Sequence, residues 1–120
     1  MDVESVDLRD LIMMIKDQKK MDANLALEFD CKIETADVKP LIKVINYCIN
    51  YISQLSEQTQ QISLNASMSG ITIGFTAFSN AQEIPAINPQ VNEALAIYNA
   101  RLEHKSDPGK YVQLLINFSG

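Results

Sequence analysis

The residues best placed to do chemistry are two asparagines four apart, Asn46 and Asn50, in the stretch VINYCINYIS. Asparagine is a mediocre helix former because its side chain competes for nearby backbone groups, so a pair at this spacing calls for a solvent-facing stripe or a functional reason. Amide oxygens suit a hard cation such as magnesium, which keeps several waters and is usually held beside carboxylates or substrate phosphates. Other reactive types offer less. His104 falls near the end of a helical pattern, where an imidazolium would be favoured by the helix dipole, and a surface role there outweighs catalysis. Cys31 and Cys48 sit in apolar patterns with no CxxC spacing, so buried free thiols are expected. With no GxSxG word and no base evident beside either thiol, hydrolytic triads are set aside.

The elements that must position these residues follow from periodicity. Leu8, Leu11, Ile12 and Ile15 recur at helical spacing behind Asp7, a capping residue with Asp10 three positions later. From Leu25 to Ile33 the period changes to two, which predicts a half-buried strand with Leu25, Leu27, Phe29, Cys31 and Ile33 on its apolar face. Asp37 opens a long helix that tolerates Pro40 within its first turn. Leu41, Ile45, Cys48, Ile52 and Leu55 run down its apolar side, while Lys39, Lys43, Asn46, Asn50 and Ser53 share a polar one. Gln61 to Met68 and Ile71 to Phe78 then alternate on either side of Ser69 and Gly70, which predicts a tight hairpin with Met68 opposite Ile71 and Leu64 opposite Phe75. Asn88 and Pro89 start a third helix reaching Leu102, and Tyr111 to Phe118 forms a last strand. The order is α-β-α-β-β-α-β. Alternating strands imply a sheet covered on one face, so the expected fold class is α+β: a two-layer sandwich of about four mixed, mostly antiparallel strands under three helices.

Bulk properties narrow the function. With 120 residues, 47% hydrophobic and 21% charged, one globular domain is expected. The formal charge is −5 and the ten Lys plus Arg are scattered except at Lys19 and Lys20, so no basic stripe invites nucleic acid. The apolar runs are far short of a membrane span and the start MDVESVD lacks the charge and apolar pattern of a signal peptide, which suggests a cytoplasmic chain.

The element order and several local words resemble the histidine-kinase-type ATP-binding domain, of the superfamily shared with DNA gyrase and heat-shock chaperones. SVDLRDLI resembles the helix leading into such domains, LALEFDCKI their first strand, and SDPGKYVQLLINFSG their terminal PGxGTxFxFxLP strand. ADVKPLIKVINYCINYIS resembles the N-box helix, which reads roughly L-x-N-L-x-x-N-A. That resemblance matches Asn46 and Asn50 to family asparagines, Asn50 being the one that reaches nucleotide-bound magnesium.

The resemblance also implies a damaged site. The family's adenine-reading carboxylate and first glycines come from a DxGxG word after the third strand. Here the segment is SNAQEIP, with Ser79 in place of the aspartate, Ala81 of the first glycine and Glu83 of the second. No glycine occurs between Gly74 and Gly109, so the glycine-rich lid whose N–H groups hold phosphates has no counterpart. Residues 1–120 are therefore expected to form one shortened domain with a vestigial site at Asn46, Asn50, Ser79, Ala81 and Glu83. No catalytic residue, metal or cofactor is expected, and a protein partner is, a second copy among the candidates. The function implied is a nucleotide-incompetent interaction or regulatory module in two-component signalling. The alternative is a divergent Mg-ATP-binding domain that keeps Asn50.

Overall fold

The computed structural model describes residues 3–68 and 70–119. Its elements are β1 (Glu4–Asp7), α1 (Leu8–Lys19), β2 (Ala23–Leu27), β3 (Lys32–Thr35), α2 (Lys39–Leu55), β4 (Gln60–Ser67), β5 (Gly70–Phe78), α3 (Gln90–Leu95), β6 (Ala100–Asp107) and β7 (Tyr111–Ser119), with a short 3-10 turn at Ala96–Tyr98. Five strands form one mixed sheet in the order β2-β4-β5-β7-β6, and β1 and β3 make a separate antiparallel ribbon. Only β2 and β4 run parallel, joined through α2. This is the expected α+β sandwich with more strands.

The core lies between the sheet and the helices. Leu8, Ile12 and Ile15 of α1 and Leu41, Ile45, Cys48 and Ile52 of α2 are sealed against Ile62, Leu64, Ile73, Phe75, Leu114 and Ile116. Each such side chain contributes roughly 1.5–3 kcal/mol of transfer free energy, far more than the tenths that separate helix propensities, so the apolar stripes decide where the helices sit. Asp7 caps α1 as the spacing predicts, its carboxylate accepting the Arg9 N–H at 2.9 Å. Asp37 does similar work for α2, its Oδ1 accepting the Lys39 N–H at 3.0 Å. The Tyr98 hydroxyl completes that end by accepting the Leu41 N–H and donating to the Asp37 carbonyl.

Three expectations change. The strand predicted from Leu25 to Ile33 breaks at Asp30, which takes a left-handed φ of 61°. β2 stays in the main sheet while β3 leaves it to pair with β1, and Phe29 turns out to solvent, 74% exposed. The hairpin keeps its faces but slides by two residues, pairing Ala66 with Ile71 and Leu64 with Ile73. A shift of two preserves the inward set because the side-chain period is two. Gly70 is thus a strand residue opposite Ser67, Met68 lies outside the ladder, and Ser69 is outside the described residues.

The third helix is the largest correction. It ends after six residues and a 3-10 turn, where Asn99 takes a left-handed φ of 54°. The chain then becomes β6, which pairs with β7 from Ala100 to Asp107. Leu102 and His104, placed by periodicity at a helix end, are strand residues. Leu102 happens to fall at both periods, four residues after Tyr98 and two after Ala100.

Candidate functional site

α2 positions most of the candidate residues, and its orientation is set by the buried row Leu41, Val44, Ile45, Cys48, Ile49 and Ile52. That row leaves Asn50 exposed beside α1 and Asn46 half-buried. Asn46 donates from Nδ2 to the Ile42 carbonyl at 3.0 Å, a bond within its own helix. Asn50 accepts at Oδ1 from Lys19 Nζ of α1, also at 3.0 Å.

The segment after β5 is tied down by a set of hydrogen bonds. Ser79 is buried, and its hydroxyl donates to the Leu55 carbonyl at the end of α2 while accepting the Ala81 N–H. Its backbone N–H donates to the Lys110 carbonyl at 3.1 Å, and the Ala81 carbonyl accepts the Gly109 N–H at 2.9 Å. Gly109 sits at φ 82°, a turn conformation that suits glycine. Ser79 and Ala81 line a cavity of about 910 Å³ with Ser53, Leu55, Phe78 and Lys110. Asn46, Asn50 and Glu83 are not part of that lining. Glu83 is exposed and makes no ion pair among the described residues. The five candidates therefore do not converge.

Two tyrosines meet the segment between Ser79 and α3. The Tyr51 hydroxyl donates to the Pro85 carbonyl, and the Tyr47 hydroxyl accepts the Asn88 N–H at 3.0 Å. Their rings lie 6.1 Å apart between centroids. The edge of His104, carried in by β6, closes on Tyr51 at 5.8 Å with planes at 83°. Burial, with the neighbouring Tyr47, raises the Tyr51 phenol above its ordinary value, and burial lowers His104. Among the described residues no group of three or more His, Cys, Asp or Glu is close enough to hold a metal ion, and no helix is long and apolar enough to cross a membrane.

No protein-family model and no curated protein matches the sequence. Solved structures do. The chain superposes on the ATP-binding domain of PrrB from Mycobacterium tuberculosis with a TM-score of 0.72 at 16% identity, covering 100% of this chain and 98% of that one. It superposes on the histidine kinase domain of the E. coli osmosensor EnvZ with a TM-score of 0.74 at 10% identity, covering 100% and 91%. Against the histidine kinase AdeS of Acinetobacter baumannii the score is 0.72 at 14% identity, covering 99% and 68%. The chain has the histidine-kinase ATP-binding fold.

The sequence resemblance lays the N-box word L-x-N-L-x-x-N-A on α2, and burial gives a second way to place it there. Starting at Val44 puts the word's asparagines on Asn46 and Asn50 and its last two apolar letters on Tyr47 and Tyr51. Starting one residue later puts all three apolar letters on Ile45, Cys48 and Ile52, each 0% exposed. The asparagine positions then fall on Tyr47 and Tyr51, the side chains that face the segment after β5. A one-residue step rotates a helix by about 100°, enough to exchange one face for another. The signal was present in the sequence, since Ile45, Cys48 and Ile52 already belonged to the apolar side.

Proposed function

We propose that this chain is a nucleotide-incompetent domain of the histidine-kinase type, acting as a protein-interaction or regulatory module in two-component signalling. The observation that carries the reading is the contact of Tyr47 and Tyr51 with Asn88 and Pro85. Two phenols stand on the α2 face turned to the chain between β5 and α3, Tyr51 bonding its backbone at Pro85 within SNAQEIP and Tyr47 at Asn88 just beyond it. Neutral phenols are poor partners for magnesium, which favours carboxylates, phosphates and water. Ser79 adds to the case because its hydroxyl already spends its donor and one acceptor site inside the protein. Asn50, which the resemblance matches to the magnesium-reaching asparagine, faces the Lys19 ammonium, a cation already in place.

Calorimetry with Mg·ATP tests the reading. Millimolar or weaker binding is expected. A micromolar constant abolished by Asn50→Ala would overturn it in favour of a divergent ATP-binding domain.

A further inference from the structure

A second concavity, of about 500 Å³, runs between the first half of α2 and α3. Its floor is apolar, made of Val44 and Val91, which are buried, with Pro40 and Ala94 half-buried. Its rim carries Lys39 and Lys43, four residues apart on one helix face, and the amide side chain of Gln90 from α3. Among the described residues neither lysine side chain makes an ion pair or hydrogen bond. The one acidic group in the lining, Asp37, has an oxygen engaged by the Lys39 N–H, and Glu93 of α3 is outside the lining. The Tyr47 hydroxyl reaches the groove as well. It accepts the Asn88 N–H, which leaves its own hydrogen free to donate.

The chain as a whole carries −5, so two cations over an apolar floor stand against the prevailing charge. Their fields add at a carboxylate lying across the rim, and a basic patch of this kind gives specificity and encounter rate more than raw affinity. The groove is open along its length. Small-molecule pockets enclose most of their ligand, whereas an open trough between two helices suits an extended or helical segment with one apolar face.

We propose that the α2–α3 groove docks an acidic, amphipathic segment of a partner protein, with side-chain carboxylates at Lys39 and Lys43 and apolar residues on Val44, Val91 and Ala94. This rests on the interaction-module reading and names the partner chemistry for it.

The test is selection of a random dodecapeptide library displayed on phage against the whole chain. Winning peptides are then synthesised and their affinity measured by fluorescence anisotropy. Enrichment of sequences with two or more Asp or Glu beside apolar residues is expected. Their affinity should fall about tenfold or more in the Lys39→Glu, Lys43→Glu variant and weaken steadily with added salt. A control that changes the net charge equally outside the groove lining, Lys105→Glu with Lys110→Glu, should leave binding within about threefold, since neither side chain lines the groove and salt screens exposed charges. No enrichment, enrichment without acidic residues, or equal binding to the groove variant would each overturn the proposal. Mg·ATP calorimetry on the same preparation separates this failure from failure of the wider reading, because absent peptide binding with absent ATP binding defeats only the groove.

Discussion

Lys19 Nζ lies 3.0 Å from Asn50 Oδ1, joining the last turn of α1 to the exposed side of α2 across 31 residues of sequence. An exposed bond between a flexible ammonium and an amide contributes little, because water competes for both ends and the lysine loses rotamer freedom. Alanine is the better helix former. Asn50→Ala is therefore expected to shift stability by no more than about 0.5 kcal/mol, read from the urea midpoint. A loss of about 2 kcal/mol would mean that the amide holds the two helices together.

The tyrosines should behave differently. Tyr51→Phe keeps the ring but leaves the half-enclosed Pro85 carbonyl without its donor, at a cost of about 1 kcal/mol. Tyr51→Ala also empties the ring's space, and about 3 kcal/mol is expected. Tyr47→Phe removes the acceptor of the Asn88 N–H, so that amide should exchange with solvent markedly faster while amides of β5 and β7 stay protected. Unchanged exchange at Asn88 would show that the segment is held by its other contacts alone.

The contrast between these residues shows how far the sequence could be read. Burial periodicity placed α1, α2, β4, β5 and β7 correctly, because each buries one face and the period reports that face directly. β6 was hidden because its inward residues beyond Leu102 are His104 and Ser106, polar side chains on an edge strand whose alternation carries no apolar signal. The break at Asp30 was hidden for a related reason, since left-handed backbone at a non-glycine residue leaves the alternation of Leu27, Phe29 and Cys31 intact. For the candidate site the residue types were legible, and the rotation of α2 was carried only by its apolar row. Only the packing of Ile45, Cys48 and Ile52 fixes which side of α2 turns to the Pro85 segment.

His104 gives a pH prediction with a definite sign. Burial lowers its pKa from the ordinary 6.5, so the unfolded chain takes up the proton first as pH falls. The contribution is fully present above about 6.5 and is lost as pH drops through the depressed folded value. His104 is the only histidine. Its ring protons in an NMR titration should therefore report an inflection below 6.5, moving upward in Tyr51→Ala as the ring that packs edge-on against it is removed. An inflection above 6.5 in the native chain would reverse the sign.

Cys48 is fully buried, and burial pushes its thiol up to about 12. Cys31 is buried as well, and its thiol is raised by burial and then by Glu28, Asp7 and Asp30. Since the thiolate is the reactive form, both should resist a disulfide-exchange reagent at pH 8 in the native state. They should react together at the unfolding rate when urea is added. Immediate labelling of one thiol without urea would show local opening at that site.

Gln60 poses the sharpest stability question. It is 4% exposed at the start of β4, and its Nε2 donates at 2.9 Å both to the Ile49 carbonyl and to the Ser53 hydroxyl. Among the described residues its Oε1 has no partner, an unsatisfied acceptor in the core. Gln60→Leu gives up two modest bonds but also removes that desolvated oxygen, and a net change within about 1 kcal/mol is expected. Gln60→Glu keeps the shape and replaces the donor with a second acceptor facing a carbonyl, so at pH 7 it should cost about 3 kcal/mol. The buried carboxyl would have its folded pKa raised above about 4.3, so its protonated form restores stability below that value and the loss grows as pH rises through the folded pKa. Urea melts of both variants at pH 4 and pH 7 decide the matter. A Glu variant as stable as the Leu variant at pH 7 would mean that water reaches this corner of the core and satisfies Oε1 there.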